Sequence, residues 1–118
     1  MERRMSIGLP ASEFTRHAAE ATGLLKVLAN QFRLLTLCHL AESGELSVRE
    51  LVKRVGLSQS ALSQHLAKLR EEGLVATRKE AQTVFYRVCD PKTEQLLLLL
   101  HDLFCPELGQ ESTGSKGN

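Results

Sequence analysis

Between Leu57 and Gly73 the apolar positions fall at helical spacing. Leu62, Leu66 and Leu69, with Ala61 beside them, make one narrow stripe. The opposite face carries Gln59, Ser60, Ser63, Gln64 and Lys68. A helix face that only meets water usually carries Glu and Lys. Amides and hydroxyls gathered in the first two turns instead suit a surface that reads another molecule. Ser58 supplies an N-cap, and Gly73 followed by Leu74 a stop. Just upstream, Ser47-Val48-Arg49-Glu50 is a capping box opening a short helix to Val55, with Gly56 as the turn. Two capped helices around a glycine, the second polar in its first half, predict a helix-turn-helix with its recognition helix. A plain helical hairpin would not need capping, turn and polar face to agree.

The rest of the pattern builds outward from this pair. Ser12 can cap a first helix to about Ala29, with Phe14, Ala18, Ala21, Leu25 and Leu28 on one face. Asn30 then caps a second helix carrying Leu34, Leu35, Leu37, Cys38 and Ala41, ending in Glu42-Ser43-Gly44. After Gly73 the pattern turns extended: Leu74–Glu80 and Thr83–Cys89 are rich in Val, Thr, Phe and Tyr, with Ala81-Gln82 at the tip. Arg78, Lys79, Gln82 and Thr83 edge that hairpin. A basic tip beside a recognition helix favours a wing on phosphates or the minor groove over a hairpin that only covers the core. Asp90-Pro91 opens a last helix from Lys92 to about Cys105. Its run Leu96–Leu100 leaves little polar face, which predicts a homodimer through the first and last helices.

The predicted fold is therefore mainly α with a small β-hairpin, a winged helix-turn-helix in the order α-α-α-α-β-β-α. It divides into a flexible arm (residues 1–11), one DNA-binding and dimerisation domain (12–105) and a flexible polar tail (106–118).

Composition narrows the class. With 118 residues, 42% hydrophobic and 25% charged, the chain has the make-up of one ordinary globular domain. No apolar run could span a bilayer and no leader is evident, so a cytoplasmic protein with its 3 cysteines reduced is expected. The net charge of +1 hides an asymmetry: Ser47–Val88 holds eight Lys/Arg against four Asp/Glu, and the remainder is net negative. The positive part coincides with the helix-turn-helix and hairpin, as binding to double-stranded DNA requires. Use of the winged helix on another protein is the competing reading, disfavoured by that asymmetry. No Gly-rich phosphate loop, carboxylate pair or nucleophile-base spacing points to an enzyme, and nothing calls for a cofactor.

Helices, helix-turn-helix, wing and terminal helix in this order resemble the ArsR family of bacterial winged-helix repressors, over roughly Ser12 to Cys105. The stretches that carry the likeness are Leu25–Asn30, Leu57–Leu66 and Glu72–Val75. The resemblance implies a homodimer that binds an inverted-repeat operator and leaves when an inducer arrives. The family's metal-sensing motifs are missing. Ser47-Val48-Arg49 stands where thiolate sensors carry Cys-Val-Cys, and Asp90-Pro91-Lys92 lacks the histidine of the other common site. The likeness is nearer to the sulfide- and redox-responsive branch, the BigR, SqrR, YgaV and HlyU type. That branch has one cysteine in the second helix and one at the end of the last, matched here by Cys38 and Cys105; the wing segment Thr77–Tyr86 is also similar. The resemblance implies that reactive sulfur species bridge the two by an oligosulfide or disulfide and that the bridged dimer releases DNA.

Alternatives stay open beside this. Cys38, His101 and Cys105 could hold a metal or haem, and a virulence-type regulator could act by displacing another DNA-binding protein. Cys89 has no counterpart in the pair and reads as structural. The residues expected at DNA are Ser58, Gln59, Ser60, Ser63, Gln64, His65, Lys68, Arg78, Lys79, Gln82 and Thr83.

Overall fold

The computed structural model describes Gly8 and residues 10–105. Most of the arm expected over residues 1–11, and the whole tail expected over 106–118, lie outside the described residues. The elements are α1 (Ala11–Leu28), α2 (Gln31–Ser43), β1 (Leu46–Ser47), α3 (Val48–Val55), α4 (Gln59–Glu71), β2 (Val75–Glu80), β3 (Thr83–Val88) and α5 (Pro91–Phe104).

Local chemistry explains the boundaries. The Asn30 side chain accepts from the Phe32 and Arg33 amides, both at 3.0 Å, and so starts α2. Arg33 reaches back, donating from Nε to the Val27 carbonyl at 2.7 Å, and thereby closes the end of α1. Ser47 and Glu50 form the reciprocal capping box, with the Ser47 amide donating to Glu50 at 2.9 Å and the Glu50 amide to Ser47 Oγ at 3.2 Å. Gly56, at φ 83°, makes the left-handed turn into α4, where a side chain would be strained. Asp90 caps α5 by accepting from the Thr93 amide at 3.0 Å and hydroxyl at 2.7 Å, which lets Thr93 be fully buried without an orphaned hydroxyl.

The core lies between α2, α3 and α4, closed below by the start of the sheet and on one side by α5. Leu37, Leu40, Leu51, Leu62, Leu66 and Leu69 are all but inaccessible to solvent. Truncating any of them to Ala is expected to cost about 2–5 kcal/mol, because it adds a cavity to the lost transfer energy. The stripe of the recognition helix is thus its core face, as the spacing predicted.

Three expectations need correction. The sheet has three antiparallel strands in the order β1-β3-β2, with Leu46 opposite Tyr86 and Ser47 opposite Phe85. A two-residue strand has no periodicity of its own and exists only through β3. The first helix begins two residues earlier than expected, with Pro10 at the N-cap and Ser12 inside the first turn. Of its predicted apolar face only Leu28 is buried; Phe14, Ala18, Ala21 and Leu25 are exposed, and Val27 enters the core instead.

Candidate nucleic-acid interface and cysteine pair

Capping and burial together aim α4. With Leu62, Leu66 and Leu69 turned inward, Gln59, Ser60, Ser63, Gln64 and Lys68 are left exposed. Ser58 is exposed too, but its Oγ accepts from the Ala61 amide at 3.2 Å, so its oxygen is occupied as the N-cap. Lys68 pairs loosely with Glu72 at 3.5 Å along the helix. His65 departs from the predicted reading face: half-buried, it stacks on Phe32 of α2 with ring centroids 6.3 Å apart.

The wing is a regular ladder from Val75 opposite Val88 to Glu80 opposite Thr83. Its turn holds Ala81 at φ 56°, a conformation that favours glycine. Lys79, Gln82 and Thr83 stand exposed around that turn. Arg78 is placed differently, since its guanidinium is engaged by Glu45 and Glu80 and lies over the Phe85 ring. Two exposed cations left out of the predicted interface, Arg49 and Lys53, sit one turn apart on α3 beside the recognition helix. Their i, i+4 spacing was the available signal, because the first helix of such a pair crosses the DNA backbone.

The second candidate site lies where α2 meets α5. A cleft of about 290 Å³ is lined by Cys38 and Ala41 from α2 and by Leu97, Leu98 and His101 from α5, with Glu42 and Glu94 also at its walls. Cys105 is the C-cap of α5, its amide donating to the His101 carbonyl at 2.8 Å. The Cys38 residue is exposed overall, yet its thiol borders this cleft. Partial burial pushes that thiol above its ordinary range, and the neighbouring Cys105 pushes it further. The two cysteines, far apart in sequence, thus come within electrostatic reach of each other in the fold. Among the described residues no group of three or more His, Cys, Asp or Glu comes close enough to hold a metal ion. Cys38, His101 and Cys105 do not assemble the three-ligand set that the metal reading needs. Cys89 lies elsewhere, its Sγ 3.6 Å from the Gly73 carbonyl at the start of the wing.

A capped recognition helix with an uncharged polar face, a preceding α3 and a flanking wing define a winged helix-turn-helix DNA-binding regulator. Residues 30–77 match the family model described as bacterial regulatory protein, arsR family. The chain is 55% identical to the transcriptional activator HlyU of Vibrio cholerae, over 79% of this chain and 85% of that protein. It is 42% identical to the biofilm growth-associated repressor of Agrobacterium fabrum, over 89% of this chain and 90% of that one. The solved structure of reduced HlyU from Vibrio cholerae superposes with a TM-score of 0.75 at 55% identity, covering 79% of this chain and 97% of the other. The chain belongs to the ArsR family of bacterial transcriptional regulators and is not an enzyme. No helix of the described residues is long and apolar enough to cross a membrane.

Proposed function

We propose that this chain is a dimeric operator-binding repressor, cytoplasmic and reduced at rest, which releases DNA when reactive sulfur or an oxidant bridges Cys38 to Cys105. The observation that supports the reading is that Cys38 on α2 and Cys105 at the end of α5 come within electrostatic reach of each other across the meeting of these helices. One helix packs beneath the reading head; the other carries the apolar face left over for a partner copy. A bridge between them ties assembly to DNA reading.

The chemistry balances with a persulfide RSSH as oxidant. One cysteine thiolate takes the outer sulfur and releases RS⁻. The second thiolate attacks the inner sulfur of the new cysteine persulfide and expels hydrosulfide. Two thiols and one RSSH thus give a disulfide, RSH and hydrogen sulfide; a second RSSH leaves one extra sulfur in the bridge.

DNA reading falls to Ser60, Ser63 and Gln64 in the major groove, with Gln59 beside them. Lys68, Lys79, Gln82, Thr83, Arg49 and Lys53 lie toward phosphates. The homodimer forms through α1 and α5, where Leu98, Leu99, Leu103 and Phe104 are 51–76% exposed. A continuous apolar face of that kind on a monomer marks an interface. Intact mass spectrometry after polysulfide or peroxide treatment tests the switch. Loss of two hydrogen atoms, or sulfur atoms added between Cys38 and Cys105, is expected; an unmodified pair in protein that has left its operator excludes it.

A second reading concerns output only. The relative at 55% identity is described as an activator and the one at 42% as a repressor. Activation by displacing another DNA-binding protein uses the same interface and the same switch. Transcription from a purified template lacking every other DNA-binding protein separates the two, since only direct repression survives there.

A further inference from the structure

Arg78 is turned along the sheet rather than out from the wing. Across β1, β3 and β2, Ser47, Phe85 and Arg78 are register partners. From β2 the Arg78 side chain crosses the face of Phe85, with Cζ 4.5 Å from the ring centroid. It ends at Glu45, the residue just before β1. There Nε donates to one carboxylate oxygen at 2.8 Å and Nη2 to the other at 3.0 Å. Nη1 donates to Glu80 at 3.1 Å. All three guanidinium nitrogens are engaged with carboxylates, in the fork geometry that suits arginine and not lysine. These hydrogen bonds from Arg78, with a smaller contribution from the charge of Arg87, hold the Glu45 carboxyl below the usual carboxylate range.

The position of Glu45 gives this cluster its mechanical meaning. Glu45 leads into Leu46–Ser47, and Ser47 is the N-cap of α3. The clamp therefore joins the far strand of the wing, over the middle strand, to the start of the helix-turn-helix. A hairpin held only by its own ladder can twist against the body below; one stapled across all three strands cannot do so freely. Strand parity puts Lys79 on the opposite face of β2 from Arg78, near the tip, where it makes no ion pair among the described residues. Lys79 is the cation nearest the wing tip left for phosphate.

We infer that Arg78 is a positioning residue: it aims the wing through Glu45 and Phe85 and does not itself contact DNA. The inference rests on the winged-helix reading of DNA binding given above.

The two roles differ in sign and in salt dependence. A phosphate contact contributes about 0.9 to the slope of log affinity against log salt; a residue that only aims the wing contributes none. Removing the negative charge of Glu45 should tighten DNA binding if Arg78 is merely sequestered there. It should weaken binding if the clamp sets the wing.

The experiment uses the full chain, a duplex enriched by it from a random-sequence pool, and fluorescence anisotropy over a series of KCl concentrations. The variants are Arg78→Gln, Glu45→Gln, Lys79→Gln and the double exchange Arg78→Glu with Glu45→Arg, which keeps the net charge. Arg78→Gln and Glu45→Gln should each lose about three- to fivefold in affinity with the slope unchanged, the upper part of the range for an exposed charged pair, as its two-point carboxylate geometry warrants. The double exchange should recover to within about twofold of wild type, and only Lys79→Gln should shallow the slope, by about one phosphate's worth. Should Arg78→Gln fold poorly by circular dichroism, Glu45→Gln and the double exchange still decide the matter. A shallower slope in Arg78→Gln, tighter binding by Glu45→Gln, or no loss in either overturns the inference and leaves the DNA-binding reading standing. Wild-type protein that enriches no duplex sinks both.

Discussion

His65 of the recognition helix stacks on Phe32 at the start of α2, with ring planes 29° apart. About two turns further along α2 stands Cys38. The same helix therefore touches the reading head at one end and carries Cys38 near its middle, so this stack is the route by which the proposed switch would act on α4. Aromatic pairs of this kind contribute about 0.5–1.5 kcal/mol beyond simple burial. A double-mutant cycle of Phe32→Ala and His65→Ala, read by urea unfolding, should give coupling at the lower end of that range, since Phe32 is partly exposed. In the DNA assay, Phe32→Ala should shrink the ratio of reduced to polysulfide-treated affinity. An unchanged ratio removes the stack from the route.

Gln64 tests the reading face. It is exposed while its neighbours Leu62 and Leu66 are buried, so the helix presents it where a groove would lie. A Gln pairs well with adenine, and Gln64→Ala should cost about 1–3 kcal/mol on the selected duplex with relaxed discrimination at one base pair. Equal weakening on selected and random duplexes would show that Gln64 reads no base.

Local signals made the helix-turn-helix legible: two N-caps, a capping box, a glycine turn and one apolar stripe all lie within Ser47–Gly73. What sequence could not show was long-range. Strand β1 owes its existence to Tyr86 and Phe85. Arg78 displays a charge in the sequence, but its partner Glu45 is distant along the chain. The apolar stripe of α1 was visible, whereas periodicity says only that Phe14 and Leu25 want cover, not whether the same protomer provides it. Cys38 and Cys105 could be paired beforehand by family likeness alone, because nothing local relates them.

The α1–α5 face carries the next test. Between these helices runs an open groove of about 920 Å³, lined in part by Leu24, Val27, Leu96 and Leu99. Leu97 alone of the run Leu96–Leu100 is buried within the protomer and Leu96 packs partly against the same core, while Leu98 and Leu99 stay exposed and are the surface the proposed dimer would cover. Leu99→Glu should yield monomers in sedimentation velocity and lose tight operator binding, because two recognition helices are no longer held one helical turn apart. A soluble Leu99→Glu dimer would assign the interface to another surface.

The cysteine pair makes a prediction with a fixed sign in pH. Burial first, and Cys105 second, raise the Cys38 thiol above its ordinary value of 9.0. At neutral pH only a small fraction is thiolate, which is the form that reacts. The alkylation rate of Cys38 in reduced protein should therefore climb about tenfold per pH unit from roughly pH 7 to 8.5, with no plateau below about 9. Replacing Cys105 by Ser removes the second cause, so Cys38 should alkylate faster at any given pH in that range. The same substitution should abolish the response to polysulfide, since no partner remains to close the bridge. Cys38→Ser should likewise bind the selected duplex when reduced and ignore polysulfide, while Cys89→Ser should respond as wild type does. Peptide mass spectrometry gives the rates and anisotropy gives the release. A flat rate profile around neutral pH, or slower alkylation in Cys105→Ser, would show that the two thiols do not share one site. DNA release persisting in both single variants would move the switch elsewhere in the chain.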